Sequence, residues 1–270
     1  MLKIIVAFDG LHFSEGAMRM AAWLKERVPI TITGVFISPV DYRELLGYSG
    51  MGMGAPVFTM PVNDDDKMVD QTIKKFKTYC DSCGLEYNTH KDTNLFALAE
   101  LIKETRFADC LIISSELFYE NIDKEQPNEY LKRTLHESEC PVLLVPENFL
   151  EPKSVILSYD GKESSVFAIK QFAYLFGDCK LAAMLFHASD DELPEKQRIH
   201  ELAARHYDPL TIEQLTNEDA RELKHWLTQN HHSILVSGAF GRSEVSSLFR
   251  KSYITDIIRA HKVPIFVAHK

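Results

Sequence analysis

The sequence has 270 residues, of which 45% are hydrophobic and 26% are charged, and its formal net charge is −9. This composition is typical of a soluble globular protein and excludes a long disordered chain, while the acidic balance argues against a general nucleic-acid-binding surface. No apolar run approaches the roughly 18 residues that a membrane-spanning helix needs, so we expect neither a nucleic acid nor a membrane as a partner.

The first half of the chain alternates strand-like and helix-like segments. Predicted strands cover 2–8, 30–37, 85–90, 110–114 and 141–145, and predicted helices cover 13–27, 64–82, 94–106 and 127–138. Residues 43–61 contain the Gly- and Met-rich run Tyr48–Pro56 and predict a long loop, either a plain flexible insertion or a lid or partner-docking loop. The run Asp64-Asp65-Asp66 is predicted to start a helix rather than to bind magnesium, since negative charge suits a helix N-terminus.

The second half repeats this alternation after a linker at 147–152. Predicted strands lie near 154–159, 180–187, 210–215, 233–237 and 264–268, with helices between them. Apolar strands bounded by helices favour a parallel sheet that is buried on both faces. We therefore predict an α/β protein with two tandem doubly wound five-stranded domains, Rossmann-like in class, at 1–147 and 152–270.

The cysteines and the N-terminal segment predict the compartment. Five cysteines are too few for a disulfide scaffold, and the N-terminal segment is apolar for only a few residues before Asp9, unlike a secretory signal. We therefore expect a cytoplasmic protein. Cys80 and Cys83 form a C-x-x-C pair, but they close a helical pattern just before Gly84, where the helix dipole disfavours a thiolate, so we predict a structural role rather than a redox or metal role.

An internal repeat is the strongest signal in the sequence. Lys3–Gly10 aligns with Ser154–Gly161 at an offset of 151 residues, and Cys140–Val145 aligns with Val263–Ala268 at an offset of 123. At that second offset, 111–114 falls on 234–237. The repeat predicts two copies of one fold, the second of which is shorter in its middle.

Three segments of the second half are predicted to meet where ligands bind in such folds, at the carboxyl ends of the strands. They are Asp160, the motif Gly238-x-x-Gly241, and Ser252 near the start of the last helix. Glycines let the backbone approach a ligand, and free amides of a loop and a helix N-terminus bind anions. Residues 238–254 have a net charge of +2, because they contain three basic residues, Arg242, Arg250 and Lys251, and one acidic residue, Glu244. This pattern predicts a phosphate site.

The matching stretch of the first half has the opposite character. Residues 114–129 contain no glycine, and their five acidic residues against one lysine give a net charge of −4. Such a segment repels phosphates and offers no glycine loop to hold them. We therefore predict that the first half does not bind phosphates.

These residues together resemble the tandem universal stress proteins, over essentially the whole chain. The resemblance is carried by Asp-Gly-x-x-x-Ser after the opening strands, by Cys140-Pro141 and Val263-Pro264 before the closing strands, and by Gly238-x-x-Gly241. Nine residues then precede Lys251-Ser252, where nucleotide-binding members of the family have Gly-Ser or Gly-Thr. The resemblance implies an adenine nucleotide alpha hydrolase-like fold and a contact between the closing strands 141–145 and 264–268, which makes an intramolecular pseudo-dimer. A homodimer is a further expectation.

The resemblance also implies the ligand and its residues. ATP or AMP is the expected ligand, with Mg²⁺ as its candidate companion. Asp160 would lie near the nucleoside, and Gly238, Gly241 and Ser252 would hold the phosphates. Lys251 stands where the motif has glycine; its ammonium would help to hold a phosphate, as would Arg242, unless its backbone needs a left-handed conformation, where lysine is strained.

The expected function is that of a stress-response protein that acts by binding, with no catalytic residue. Two alternatives stay open: a nucleotide-free scaffold in which both sites are vestigial, and a slow nucleotide hydrolase. No resident metal site is predicted, because the eleven histidines show no familiar ligand spacing.

Overall fold

The structure is a computed structural model. It describes residues 1–9, 12–37, 63–92, 97–116, 129–188, 191–215, 231–238 and 263–268. The strands are β1 Leu2–Phe8, β2 Ile30–Ile37, β3 Glu86–Asp92, β4 Cys110–Ser114, β5 Val142–Val145, β6 Ser154–Ser158, β7 Ala182–Ala188, β8 Leu210–Leu215, β9 Ser233–Gly238 and β10 Ile265–Ala268. The helices are α1 Glu15–Lys25, α2 Asn63–Cys83, α3 Ala97–Thr105, α4 Glu129–Glu137, α5 Glu163–Phe176 and α6 Lys196–Ala204.

These strands form one continuous sheet in the order β3-β2-β1-β4-β5-β10-β9-β6-β7-β8. Within each half the strands are parallel, and the order of the second half mirrors that of the first. β5 and β10 join the halves as an antiparallel pair, with Ile265 opposite Leu144. The predicted α/β fold class is confirmed, and the expected contact between the closing strands is present. The domain boundaries at 147 and 152 stay predictions.

The strand register corrects the repeat alignment in the middle of each half. The amide of Leu111 donates to Pro141 O, and the amide of Leu235 donates to Pro264 O, each at 2.9 Å. Leu111 is therefore equivalent to Leu235, so the offset of 123 was wrong by one residue for this strand. A strand buried on both faces is apolar throughout and has no alternation that would fix its register in the sequence. The correction places Gly238 where the first half has Ser114.

The segment between β5 and β6 packs against both halves. Phe149 is fully buried, and the Arg19 guanidinium lies 5.7 Å from the centre of its ring. At the other end, Lys153 N donates to His232 O at 2.7 Å, and His232 Nδ1 donates to Glu151 O at 3.0 Å. This segment therefore contacts residues of both halves through its side chains and its backbone.

The C-x-x-C pair lies at the end of α2, as predicted. The helix begins at Asn63, directly before the acidic run Asp64-Asp65-Asp66, which was also predicted to start a helix. Burial raises the pKa of Cys80 to about 12, so its thiol stays protonated at neutral pH. This environment is that of a structural cysteine and not of a reactive one. No helix within the described ranges has the length and apolar character needed to cross a membrane.

Candidate functional site

The candidate site lies where three neighbouring strands of the second half end. β6 runs between β9 and β7, and the three strands are parallel. Their carboxyl ends therefore meet at one edge of the sheet, and they present Gly238 on β9, Asp160 just beyond β6, and His187 on β7. Of the predicted site residues, Gly238 and Asp160 are thus brought to the ends of adjacent strands.

Gly238 lies against the first turn of α5. A Cβ atom at this position would lie 2.5 Å from the backbone carbon of Ser164 and 2.6 Å from the amide nitrogen of Ser165. Only glycine allows so close an approach of strand and helix. The N-cap of α5 is Lys162, which makes no side-chain cap bond. Lys162 therefore supplies no side-chain acceptor to the amides of this turn, unlike the Ser, Thr, Asp or Asn that commonly stands at an N-cap.

Asp160 is partly open to solvent. Its Oδ1 accepts a hydrogen bond from Lys162 N at 3.0 Å, and the Lys162 ammonium lies 3.9 Å from Oδ2. The Asp160 side chain is 46% exposed. Gly161 has φ +80°, and a Cβ there would lie 2.9 Å from the Pro194 ring, so this turn requires glycine. The carboxylate can therefore accept further hydrogen bonds from a ligand.

Ser165 explains the serine of the Asp-Gly-x-x-x-Ser motif in this half. Its hydroxyl donates to Lys162 O at 2.8 Å and lies 3.5 Å from Asp160 N. The buried serine thus closes the turn that carries Asp160. In the first half the equivalent Ser14 is the N-cap of α1, where its hydroxyl accepts from Ala17 N.

His187 belongs to the same edge, and sequence reasoning missed it. Its side chain is buried, and its Nδ1 lies 2.8 Å from Tyr159 O. Its Nε2 is buried and has no hydrogen-bond partner among the described residues. The pairing of β7 with β6 makes His187 the equivalent of Phe36 in the first half. A histidine at the repeat position of a core phenylalanine was the signal that could have identified it.

In the first half, the aspartate equivalent to Asp160 is already bound. Asp9 Oδ1 accepts from His12 N at 2.7 Å, and its Oδ2 lies 2.7 Å from His12 Nδ1. The Asp9 side chain is only 18% exposed. His12 therefore contacts both carboxylate oxygens of Asp9, whereas the more exposed Asp160 accepts a hydrogen bond from Lys162 N at Oδ1.

The start of α1 is occupied by a carboxylate of the chain itself. Glu147, just after β5, accepts a hydrogen bond from the Ser14 hydroxyl and another from Gly16 N at 3.2 Å. Glu116 in turn accepts from Glu147 N at 2.7 Å. Burial raises the pKa of the Glu116 carboxyl, and the Glu147 carboxylate adds to the rise, although the Glu147 amide opposes it. The Glu147 carboxylate thus lies at the first turn of α1, and the Glu116 carboxylate binds the amide of Glu147.

The remaining predicted site residues lie outside the described residues. They are Gly241, Arg242, Lys251 and Ser252, and the loop 43–61 lies outside them as well. Within the described ranges, no group of three or more His, Cys, Asp or Glu side chains could hold a metal ion. An open pocket of about 520 Å³ is lined by residues of α6 and by Ile212 on β8, and includes neither Asp160 nor Gly238.

The fold is similar to that of several solved structures over the whole chain. A universal stress protein from Archaeoglobus fulgidus DSM 4304 matches with a TM-score of 0.69 and 14% identity, covering 100% of this chain and 96% of the other. A protein of unknown function from Pseudomonas aeruginosa PAO1 matches with a TM-score of 0.57 and 13% identity, covering 100% of this chain and 92% of the other. A putative universal stress protein from Pseudomonas aeruginosa UCBPP-PA14 matches with a TM-score of 0.56 and 11% identity, covering 100% of this chain and 93% of the other. No protein-family model matches the sequence, and no curated protein does.

Proposed function

The chain has the universal stress protein fold along its whole length, and from this premise we propose that it is a cytoplasmic stress-response protein that acts by binding. It binds one adenine nucleotide, ATP or AMP, in its second half. The first half is a partner that binds no nucleotide. No catalytic step is part of this proposal.

The close approach of Gly238 to α5 is the observation that supports this proposal most. The fold itself does not require glycine there, because the first half has Ser114 at the equivalent position. In the second half the approach brings the end of β9 to a helix start whose N-cap residue, Lys162, makes no side-chain cap bond. A glycine beside a helix N-terminus suits a phosphate, since the amides of a helix N-terminus bind anions.

The charges of the two halves support the same assignment. Residues 238–254 carry a net charge of +2 and residues 114–129 carry −4. In the first half, Glu147 also supplies the carboxylate that α1 binds. A nucleotide would therefore meet attraction in one half and a competing internal anion in the other.

A titration with labelled ATP in the presence of Mg²⁺ tests the proposal. The wild-type protein should bind one equivalent, and Gly238→Val or Ser252→Ala should weaken the binding. The two equivalent aspartates give a matched pair: Asp160→Asn should weaken binding, whereas Asp9→Asn should leave it unchanged.

Absence of binding to the wild type at millimolar ATP would reject the nucleotide site. The nucleotide-free scaffold, which the replacement of the motif glycine by Lys251 favours, would then replace it. A phosphate-release assay whose signal disappears in Asp160→Asn would instead identify a slow hydrolase.

A further inference from the structure

Among the described residues, His187 is a buried polar side chain at the strand ends of the second half whose role the proposed nucleotide site leaves unexplained. A carbonyl oxygen only accepts hydrogen bonds, so the contact with Tyr159 O requires that His187 Nδ1 carries the hydrogen and donates it. In a neutral imidazole the other nitrogen is then an acceptor. That acceptor, Nε2, is buried and has no partner among the described residues.

The fold does not need a polar group at this position. In the first half Phe36 stands there, and its ring stacks on Phe8 with the ring centres 4.9 Å apart. The second half instead has a buried nitrogen whose lone pair has no donor among the described residues, and an unmatched acceptor is costly in a protein interior. Where the first half has the apolar ring of Phe36, the second half has the acceptor Nε2 of His187. This difference indicates that a group from outside the described residues donates a hydrogen bond to Nε2.

The order of the strands indicates which part of a nucleotide reaches His187. Neighbouring strands are about 4.8 Å apart, so β9, β6 and β7 span roughly 10 Å, which is comparable to the distance from phosphate to base. If phosphates bind beside Gly238, the sugar hydroxyls lie near the Asp160 carboxylate, and the base lies beyond them at β7. A carboxylate is a suitable acceptor for sugar hydroxyls.

The burial of Nε2 favours a base over any other part of the ligand. A phosphate has no donor for it, and a sugar stays near solvent at the half-exposed Asp160. We propose that His187 Nε2 accepts a hydrogen bond from the exocyclic amino group of a bound adenine and thereby selects adenine over hypoxanthine nucleotides. This inference rests on the proposed nucleotide site.

The test compares ATP with ITP, in which a carbonyl oxygen replaces the amino group. Titrations of the full-length protein should give at least about tenfold tighter binding of ATP than of ITP. In ITP the carbonyl oxygen of the base would face His187 Nε2, and two acceptors cannot form a hydrogen bond. His187→Phe, which introduces the residue type of Phe36, should bring the ATP to ITP ratio close to one. His187→Leu serves as a second variant, with thermal unfolding as the check that each protein is folded.

A histidine away from the site provides the control. His206, a partly exposed residue of the same half whose ring contacts Tyr174, should leave the ratio unchanged when it is replaced by phenylalanine. Equal affinities of the wild type for ATP and ITP, or an unchanged ratio in both His187 variants, would overturn the role of His187 while the nucleotide site stands. Failure of either nucleotide to bind would reject the site and this inference together.

Discussion

Ser14 and Glu147 are 133 residues apart in the sequence, yet the hydroxyl of Ser14 donates a hydrogen bond to the carboxylate of Glu147. The contact joins the first turn of α1 to the segment that leads into the second half. Gly16 makes it feasible, because a Cβ at that position would collide with Pro146 O. The start of α1 is therefore closed by the chain itself.

We expect Glu147→Ala to destabilise the protein by about 1–2 kcal/mol, because Ser14 and Gly16 lose a charged acceptor at a helix N-terminus. Urea unfolding measures this change. Glu151→Ala is the matched control, since Glu151 is exposed in the same segment and contributes its backbone carbonyl to His232. Equal free energies of unfolding for the two variants would contradict the capping role.

Glu116 should make the stability fall as the pH rises. Its pKa in the folded protein is raised above the ordinary value of 4.5, chiefly by burial, so the folded state holds this proton more tightly than the unfolded chain. The carboxyl therefore costs stability once the pH passes above about 4.5, and the cost is complete above the folded pKa. Glu116→Gln should be more stable than the wild type at pH 7, and the difference should vanish in acid.

Glu137 provides a control of opposite sign. The guanidinium of Arg133 lies 2.9 Å from its carboxylate and lowers its pKa, so this pair stabilises the folded state at neutral pH and is lost in acid. Thermal unfolding of Glu137→Gln should accordingly show lower stability at pH 7. A stability gain of Glu116→Gln that is the same at pH 4 and pH 7 would refute the account of Glu116.

Gly238→Ala should destabilise the second half, by about 1–3 kcal/mol, because the new Cβ would overlap the backbone of Ser164 and Ser165. Gly177→Ala is the matched control, since a Cβ at Gly177 has no atom within 4 Å and its φ of −58° suits any residue. Denaturant unfolding should leave Gly177→Ala within about 1 kcal/mol of the wild type. Comparable losses in both variants would mean that the strand and helix can separate at little cost.

Alkylation should distinguish the two cysteines of the C-x-x-C pair. Cys80 is buried with a pKa of about 12, whereas Cys83 is partly exposed. In the folded protein at pH 8, iodoacetamide should therefore modify Cys83 well before Cys80, which mass spectrometry of peptides can measure. Formation of a Cys80–Cys83 disulfide under mild oxidation would restore the redox hypothesis.

The fold could be predicted from the sequence because each buried strand is a short apolar run and the internal repeat shows the same order of strands and helices twice. β1, β2, β4 and β8 were predicted with the bounds that the structure has, and the other described strands differ by one or two residues at one or both ends. The register of β4 and β9 was misjudged by one residue, because buried apolar strands lack the alternation that would fix it.

The site was less predictable, because its distinguishing contacts join distant parts of the chain. The positions of Asp160 and Gly238 at the ends of adjacent strands followed from their motifs. The capping of α1 by Glu147 did not, since nothing in the local sequence of Glu147 indicates its contact with Ser14. His187 was missed because a single histidine in an apolar run is more often a satisfied core residue than a ligand.

The antiparallel pairing of β5 with β10 determines the directions in which the strand ends of the two halves face. Because the direction of the strands reverses at that seam, Asp9 and Gly238 lie on opposite rims of the sheet. The strand ends of the two halves are therefore separated by the full length of the strands, and a molecule at one set of ends would not compete for space with a molecule at the other.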